Sequence, residues 1–431
     1  MPFRTCLALC MILVLTGCQT QSRPPSSEKS TVQVTVFAQV ATQTSTVLPP
    51  TATSIPAATS EPTLQPSSTP IPLIVVAPSQ ADTLPAPVYY LHEDRNKTQQ
   101  IWRLERDGLT NSQITNEPAS VRDFDISPID GALAYVSGFD LFVANADGTE
   151  RRSVLHDESA VDSANEDQRR AGARYRSPLW FPDGQQIALA DYWGVIFVTL
   201  DGQTRRFQTN ILPPPSRPAE MNVAYYRPGQ FSPDGQRLLL RVGVWEHDVL
   251  SIKDIDATNS IEPLQLKDTT FCEPVWSIDQ KIVYCASGSV LSHPNRIGMS
   301  NANTGKTSEM IQVEDEQFTE FEFFKAPFPA SNGDLFYLKE RNPIGMRQFR
   351  LSLFRINPRN NSAPIEVRSE VDVIDSIGET LWDVSGQGLI IEAGYFGTTG
   401  LRQSGILWLP IDGSAAIRLR LSGHNLHWGK P

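Results

Sequence analysis

The sequence is short of positive charge, histidine and cysteine, and it has no long apolar run. Its 37 Lys and Arg stand against 48 Asp and Glu, a net charge of −11 with a pI near 5.1. A general nucleic-acid binder carries a basic face, so no nucleic-acid partner is expected. The apolar stretch CLALCMILVL covers only ten residues, too few to cross a bilayer. Catalytic signatures are missing as well: there is no Gly-x-Ser-x-Gly elbow, no His-Glu-x-x-His, no phosphate-binding glycine loop and no Cys-x-x-Cys. The six histidines are scattered. His424 and His427, three apart on an extended segment, point to opposite faces and make a poor metal pair. His92-Glu93-Asp94 reads as a solvated loop rather than a cation site. The expectation is a chain with no metal, no cofactor and no catalytic residue, and so not an enzyme.

What is present sorts by position. A positive start, MPFR, leads into the apolar run and then into Leu15-Thr16-Gly17-Cys18, the layout of a secretory leader. The Leu-Thr-Gly-Cys ending resembles the bacterial lipoprotein lipobox. That resemblance implies removal of residues 1–17, lipid on Cys18, and an extracytoplasmic protein anchored to the bacterial membrane or cell surface. Gln19 in place of Asp implies that, with two membranes present, the inner one does not retain it. Residues 18–85 are dominated by Thr, Ser, Pro, Gln and Ala. Such a segment buries too little apolar surface to offset its ordering entropy, and is expected to be a disordered tether spanning roughly 45 Å as a coil. Within it TVQVTVFAQV, residues 31–40, alternates like a strand but has no neighbour to pair with.

From residue 86 to 431 the pattern is periodic. An apolar or aromatic anchor precedes a turn at Ile126, Trp180, Phe231, Trp276, Phe328, Trp382 and Trp428, at spacings of 45 to 54 residues. In FSPDGQRLLL, Pro233 presets φ, Asp234 caps the local backbone and Gly235 supplies the positive φ that the hairpin needs. Asp-Gly pairs mark a second set of turns. Short strands punctuated at a period near fifty predict an all-β fold, a seven-bladed propeller of four-stranded antiparallel blades. Six or eight blades stay open, because the anchors at 328 and 382 are degenerate. The segment HNLHWGKP is expected to supply the inner strand of the first blade, beside residues 88–91, closing the ring and removing its open edges.

The SPDG-centred hairpins at 180–190 and 231–240 resemble the TolB-type, WD-like propeller repeat, whose members are mostly binding platforms. The N-terminal domain of TolB has no counterpart, so TolB's particular role does not transfer. A propeller-borne peptidase is not expected either, since no length remains after the closing strand. Of the five cysteines, Cys6 and Cys10 leave with the leader and Cys18 takes lipid. If Trp276 faces Lys281, then Cys272 faces Cys285, and the two form either a disulfide or two free buried thiols.

Propeller geometry places the blade-to-blade connections and the second-to-third-strand turns on one face. The long connections at 157–175, 209–228, 287–296, 340–349 and 394–404 fall there, which assigns that face to recognition. Four residues before successive anchors stand Arg122, Arg176 and Arg227, the last two preceded by Tyr175 and Tyr226. These five are the ligand-binding candidates. The arginines either hold an anionic group through forked hydrogen bonds or make ordinary salt bridges to neighbouring acids such as Asp123 and Glu220. The acidic run at 313–324 reads as a solvated connection. Two functions follow, beside a third, a structural part of an envelope complex. One is a tethered, non-catalytic binding module for a protein, peptide or glycan. The other is a carbohydrate-active enzyme using axial carboxylates such as Asp123, Glu273 and Glu322.

Overall fold

The computed structural model describes residues 75–78, 82–156, 175–211, 223–244, 247–287, 295–312, 320–343, 349–360, 363–373, 377–396 and 402–431. All of them lie within one compact unit, Leu64–Pro431. The leader, Cys18, the alternating stretch at 31–40 and most of the tether lie outside the described residues, as do the middles of the long connections.

Among the described residues there is no helix. Strand β1 (Val75–Val76) comes first, followed by β2 (Val88–Glu93), β3 (Gln99–Leu104) and β4 (Asn111–Gln113) of the first blade. The second blade is β5 (Val121–Ile126), β6 (Leu133–Ser137), β7 (Asp140–Ala144) and β8 (Arg152–His156). The third is β9 (Arg176–Trp180), β10 (Gln186–Asp191), β11 (Gly194–Thr199) and β12 (Thr204–Thr209). The fourth is β13 (Tyr225–Phe231), β14 (Arg237–Val244), β15 (His247–Asp254) and β16 (Leu264–Gln265). The fifth is β17 (Cys272–Trp276), β18 (Ile282–Ser287), β19 (Arg296–Asn301) and β20 (Thr307–Gln312). The sixth is β21 (Glu320–Pro329), β22 (Leu335–Pro343), β23 (Phe349–Ile356) and β24 (Ile365–Val373). The seventh is β25 (Thr380–Trp382), β26 (Gly388–Phe396), β27 (Arg402–Pro410) and β28 (Ala416–Arg418). Finally β29 (His424–Trp428) pairs antiparallel with β2, Val88 facing Trp428 and Tyr89 facing His427. The sheets are seven blades in a ring, and the closure is the one the anchors predict.

The first turn of each blade explains why the repeat folds. At 231–237 Ser232 O accepts from Gly235 N at 2.8 Å, Ser232 Oγ accepts from Arg237 N at 3.0 Å, and Gly235 sits at φ +70°. Where the fifth blade lacks the glycine, Gln280 takes the same turn position at φ +60°. Apolar side chains of the blades then pack between neighbouring sheets, as where Phe181 meets Phe197 and Phe231 with ring centroids 4.7 and 4.5 Å apart.

The anchor tryptophans also lock blade to blade. Trp276 Nε1 donates to Gln230 O at 3.3 Å, Trp382 Nε1 to Ala326 O at 2.7 Å and Trp428 Nε1 to Trp382 O at 2.7 Å, each time in the preceding blade. Trp180 Nε1 is buried without a partner among the described residues.

Two expectations are corrected. Trp276 faces Val283, not Lys281, so Cys272 is in register with Ser287 and Cys285 with Pro274. The turn is longer than a tight hairpin, closing through Ser277 N to Ile282 O at 2.8 Å. A slip of two keeps every side chain on its face. Cys272 and Cys285 are therefore diagonal neighbours, bonded as a disulfide with Cα atoms 5.4 Å apart. Ordered chain also begins before residue 86: Val75–Val76 pairs parallel with β28, and Leu84 is buried.

Candidate functional site: an aromatic face on blades two to four

The inner strands are β29, β5, β9, β13, β17, β21 and β25, and several carry a bulge. Ladders shift at β5, β9, β13, β21 and β29. At three bulges a non-glycine residue turns left-handed: Ser177, Ala326 and Asn425. Their amides leave the ladder, and a carboxylate from the preceding blade accepts each one. Asp123 Oδ2 takes Ser177 N at 2.9 Å, Glu273 Oε2 takes Ala326 N at 2.7 Å, and Glu379 Oε2 takes Asn425 N at 2.8 Å. Of the acids expected to line the axis, Asp123 and Glu273 are thus bound to backbone and Glu322 pairs with Lys339 at 2.8 Å. Burial pushes Asp123 above the usual carboxylate range, against the opposing pull of its bonds to Asn425 and Ser177.

The five ligand candidates do not form one cluster. Arg176 and Arg227 occupy the same ladder position, facing Ala190 and Arg241. In the second blade that position belongs to Asp123, facing Val136, because its bulge lies farther from the turn, at Arg122, beyond that position. Arg122 Nη2 donates to Gly138 O in its own blade, Arg227 pairs with Asp248 at 2.5 Å, and Arg176 is exposed. Tyr175 and Tyr226 are buried, packed between blades two and three and between three and four. Burial pushes the Tyr226 phenol up. Arg241, which the sequence did not single out, is depressed by burial and makes no ion pair or hydrogen bond among the described residues.

The face carrying the second-to-third-strand turns holds something else. Four large aromatics are well exposed among the described residues: Phe139 at 37%, Tyr192 at 46%, Trp193 at 57% and Tyr225 at 44%. All four lie on this face, in blades two to four. Tyr192 and Trp193 form the two-residue turn between β10 and β11, their rings edge to face with centroids 4.8 Å apart. Water disfavours such exposure, yet the turn is held firmly. Asp191 Oδ1 accepts Trp193 N at 2.8 Å, and the same carboxylate is gripped by Arg206 through two bonds of 2.6 Å. Buried Asn210 donates from Nδ2 to Tyr192 O at 2.9 Å and from its backbone N to Trp193 O at 2.8 Å. Its Oδ1 accepts Tyr226 N at 2.7 Å, which ties the pair to the strand that presents Tyr225. Gly194, at φ +137°, closes the turn where a Cβ would lie 1.9 Å from Gln208 O. The sequence signal for this site was available: two bulky aromatics fill a hairpin turn where Gly, Asn or Asp is usual.

No protein-family model matches the chain, and no curated protein matches it. Solved structures do. TolB from Acinetobacter baumannii is similar at 12% identity and a TM-score of 0.39, covering 68% of this chain and 66% of that one. An oligogalacturonate lyase from Vibrio parahaemolyticus is similar at 10% identity and a TM-score of 0.45, covering 78% and 86%. A periplasmic gluconolactonase from Pseudomonas aeruginosa is similar at 12% identity and a TM-score of 0.43, covering 78% and 98%. At these identities the likeness shows the fold alone. It nevertheless corrects the expectation that the chain is not an enzyme. A lyase and a lactonase stand beside TolB among the similar propellers, and a fold does not by itself fix or exclude a reaction.

Proposed function

We propose that the protein is an extracytoplasmic binding platform, tethered to a bacterial membrane through Cys18, that recognises a protein partner on the aromatic face of blades two to four. The observation that supports this reading is the Tyr192–Trp193 turn: an exposed aromatic pair fixed by a buried asparagine and a forked arginine–aspartate pair. Tyr, Trp and Arg dominate binding hot spots because they bring large contact area and few freely rotating bonds, and prior ordering lowers the entropy lost on binding. Arg176 and the Arg227–Asp248 pair supply a polar rim to the same face. The tether rests on the Leu15–Cys18 motif and the Thr/Ser/Pro-rich spacer.

A photo-crosslinking residue at Trp193, in cells fractionated first, tests both halves. The chain is expected in the membrane fraction and its Cys18→Ser variant in the soluble one. A discrete protein adduct is expected from position 193 and none from Val384, exposed on the opposite face. Once that partner is purified, Trp193→Ala should weaken binding about thirtyfold, the scale of a 2 kcal/mol hot spot, with an unchanged melting temperature. A glycan adduct in place of a protein, or unaltered affinity, refutes the assignment. Turnover of the captured molecule would make it a substrate.

A further inference from the structure

At the rim of the seventh blade, apart from the aromatics of blades two to four, a cleft of about 990 Å³ opens beside β1 and the ends of β26, β27 and β28. Tyr395, which lines it, is fully buried, and its Oη has no hydrogen-bond partner among the described residues. A buried hydroxyl left in that state is costly and rare in a folded protein. Burial also pushes this phenol up, so it is a donor at neutral pH.

Gly405 lies beside it in β27. Its φ is ordinary and the ladder to β26 runs through it without a bulge, so backbone geometry does not call for glycine. A glycine inside a strand weakens the strand, and where no bulge explains it, close approach of another molecule is a usual reason. A Cβ placed there would lie 3.5 Å from Arg418 Nε and 3.8 Å from Tyr395 Oη. The missing side chain thus leaves a notch flanked by a guanidinium and a phenol.

Arg418 donates from Nη1 to Gln403 Oε1 at 3.0 Å and makes no ion pair among the described residues. Glu392 also lines the cleft, but it is in register with Ile406 while Arg418 is in register with Leu407. Neighbouring ladder positions face opposite sides of a sheet, so Glu392 does not neutralise Arg418.

We propose that this notch binds the carboxylate or phosphate head of a small organic anion, with Arg418 and Tyr395 Oη both donating to it. The assignment stands apart from the proposed function and survives or fails without it. Thermal melting of the chain in sodium acetate, inorganic phosphate and sodium chloride at matched ionic strength is the test. Acetate or phosphate should raise the melting temperature with a saturating dose dependence, the effective salt identifying the head group, while chloride gives no such response. Tyr395→Phe should melt at or above wild type without anion, since it removes an orphaned hydroxyl, and should lose the anion-dependent rise. Gly405→Ala and Arg418→Gln should each raise the half-saturating concentration at least tenfold. Equal responses to all three salts, no response to acetate or phosphate, a rise retained by Tyr395→Phe, or a lower melting temperature for that variant without anion would each overturn the site.

Discussion

His427 sits where three carboxylates converge on the closing strand. Its Nδ1 lies 3.4 Å from Asp125 Oδ1, its Nε2 contacts Asn425 Oδ1 at 3.2 Å, and its ring packs on Phe124 with centroids 4.6 Å apart. Burial alone would depress the imidazole, but the bond to Asp125 and the charges of Asp125, Asp123 and Glu379 outweigh it and hold it above its ordinary 6.5. A histidine raised on folding gives stability that is fully present below 6.5 and disappears as pH climbs through the elevated folded value. Asp123, raised by burial, tilts the curve in the same direction as pH rises above the usual carboxylate value. The depressed turn aspartates, such as Asp234 and Asp412, titrate below this range. Melting temperature should therefore fall between pH 5.5 and 8 in wild type, and fall less in His427→Gln. Parallel curves would mean that the imidazole does not titrate against the seam.

At the scale of elements, the tryptophan contacts between blades distinguish positions that look alike in sequence. Trp382 Nε1 bonds to the preceding blade, whereas Trp180 Nε1 has no partner among the described residues. Trp382→Phe should cost about 1–2 kcal/mol in denaturant melts, and Trp180→Phe clearly less, because it deletes an unsatisfied donor along with the lost packing. Equal losses would show that ring volume, not the indole N–H, is what matters. Hairpins were the most readable part of the sequence, since turn chemistry is local: Ser232-Pro233-Asp234-Gly235 names its own geometry. Strand phase was less readable. One bulged residue shifts everything beyond it, which is why Arg122 falls out of line with Arg176 and Arg227, and a turn longer than a tight hairpin moves the register by two, which is why Cys272 meets Cys285 diagonally. The axial acids were visible as residues, but their use was not, since left-handed Ser177, Ala326 and Asn425 carry no mark in sequence.

For the molecule as a whole, the seven anchors carried both blade number and closure, because a ring must return to its start. The aromatic face was legible only as a face: loop lengths located it, but turn residues rather than long loops furnish its exposed rings. Closure gives the remaining prediction. A chain stopped after residue 423 lacks β29, leaving Glu379 without the amides of Asn425 and Leu426 and Asp123 without Asn425 Nδ2. It should be rapidly degraded by protease at concentrations that spare the full chain, and a synthetic peptide of residues 424–431 should restore resistance. Resistance without the peptide would mean that the other six interfaces hold the ring unaided.

The pairing of Val88 with Trp428 joins positions 340 apart in the chain. A polypeptide emerging amino end first exposes the head of its earliest sheet long before the mate arrives, so no vectorial route can finish this domain until its final strand has been made. Every residue up to Trp428 must be free before the seam can seal, and until then a chaperone, or sheer speed of synthesis, has to keep that unfilled edge from recruiting a stranger.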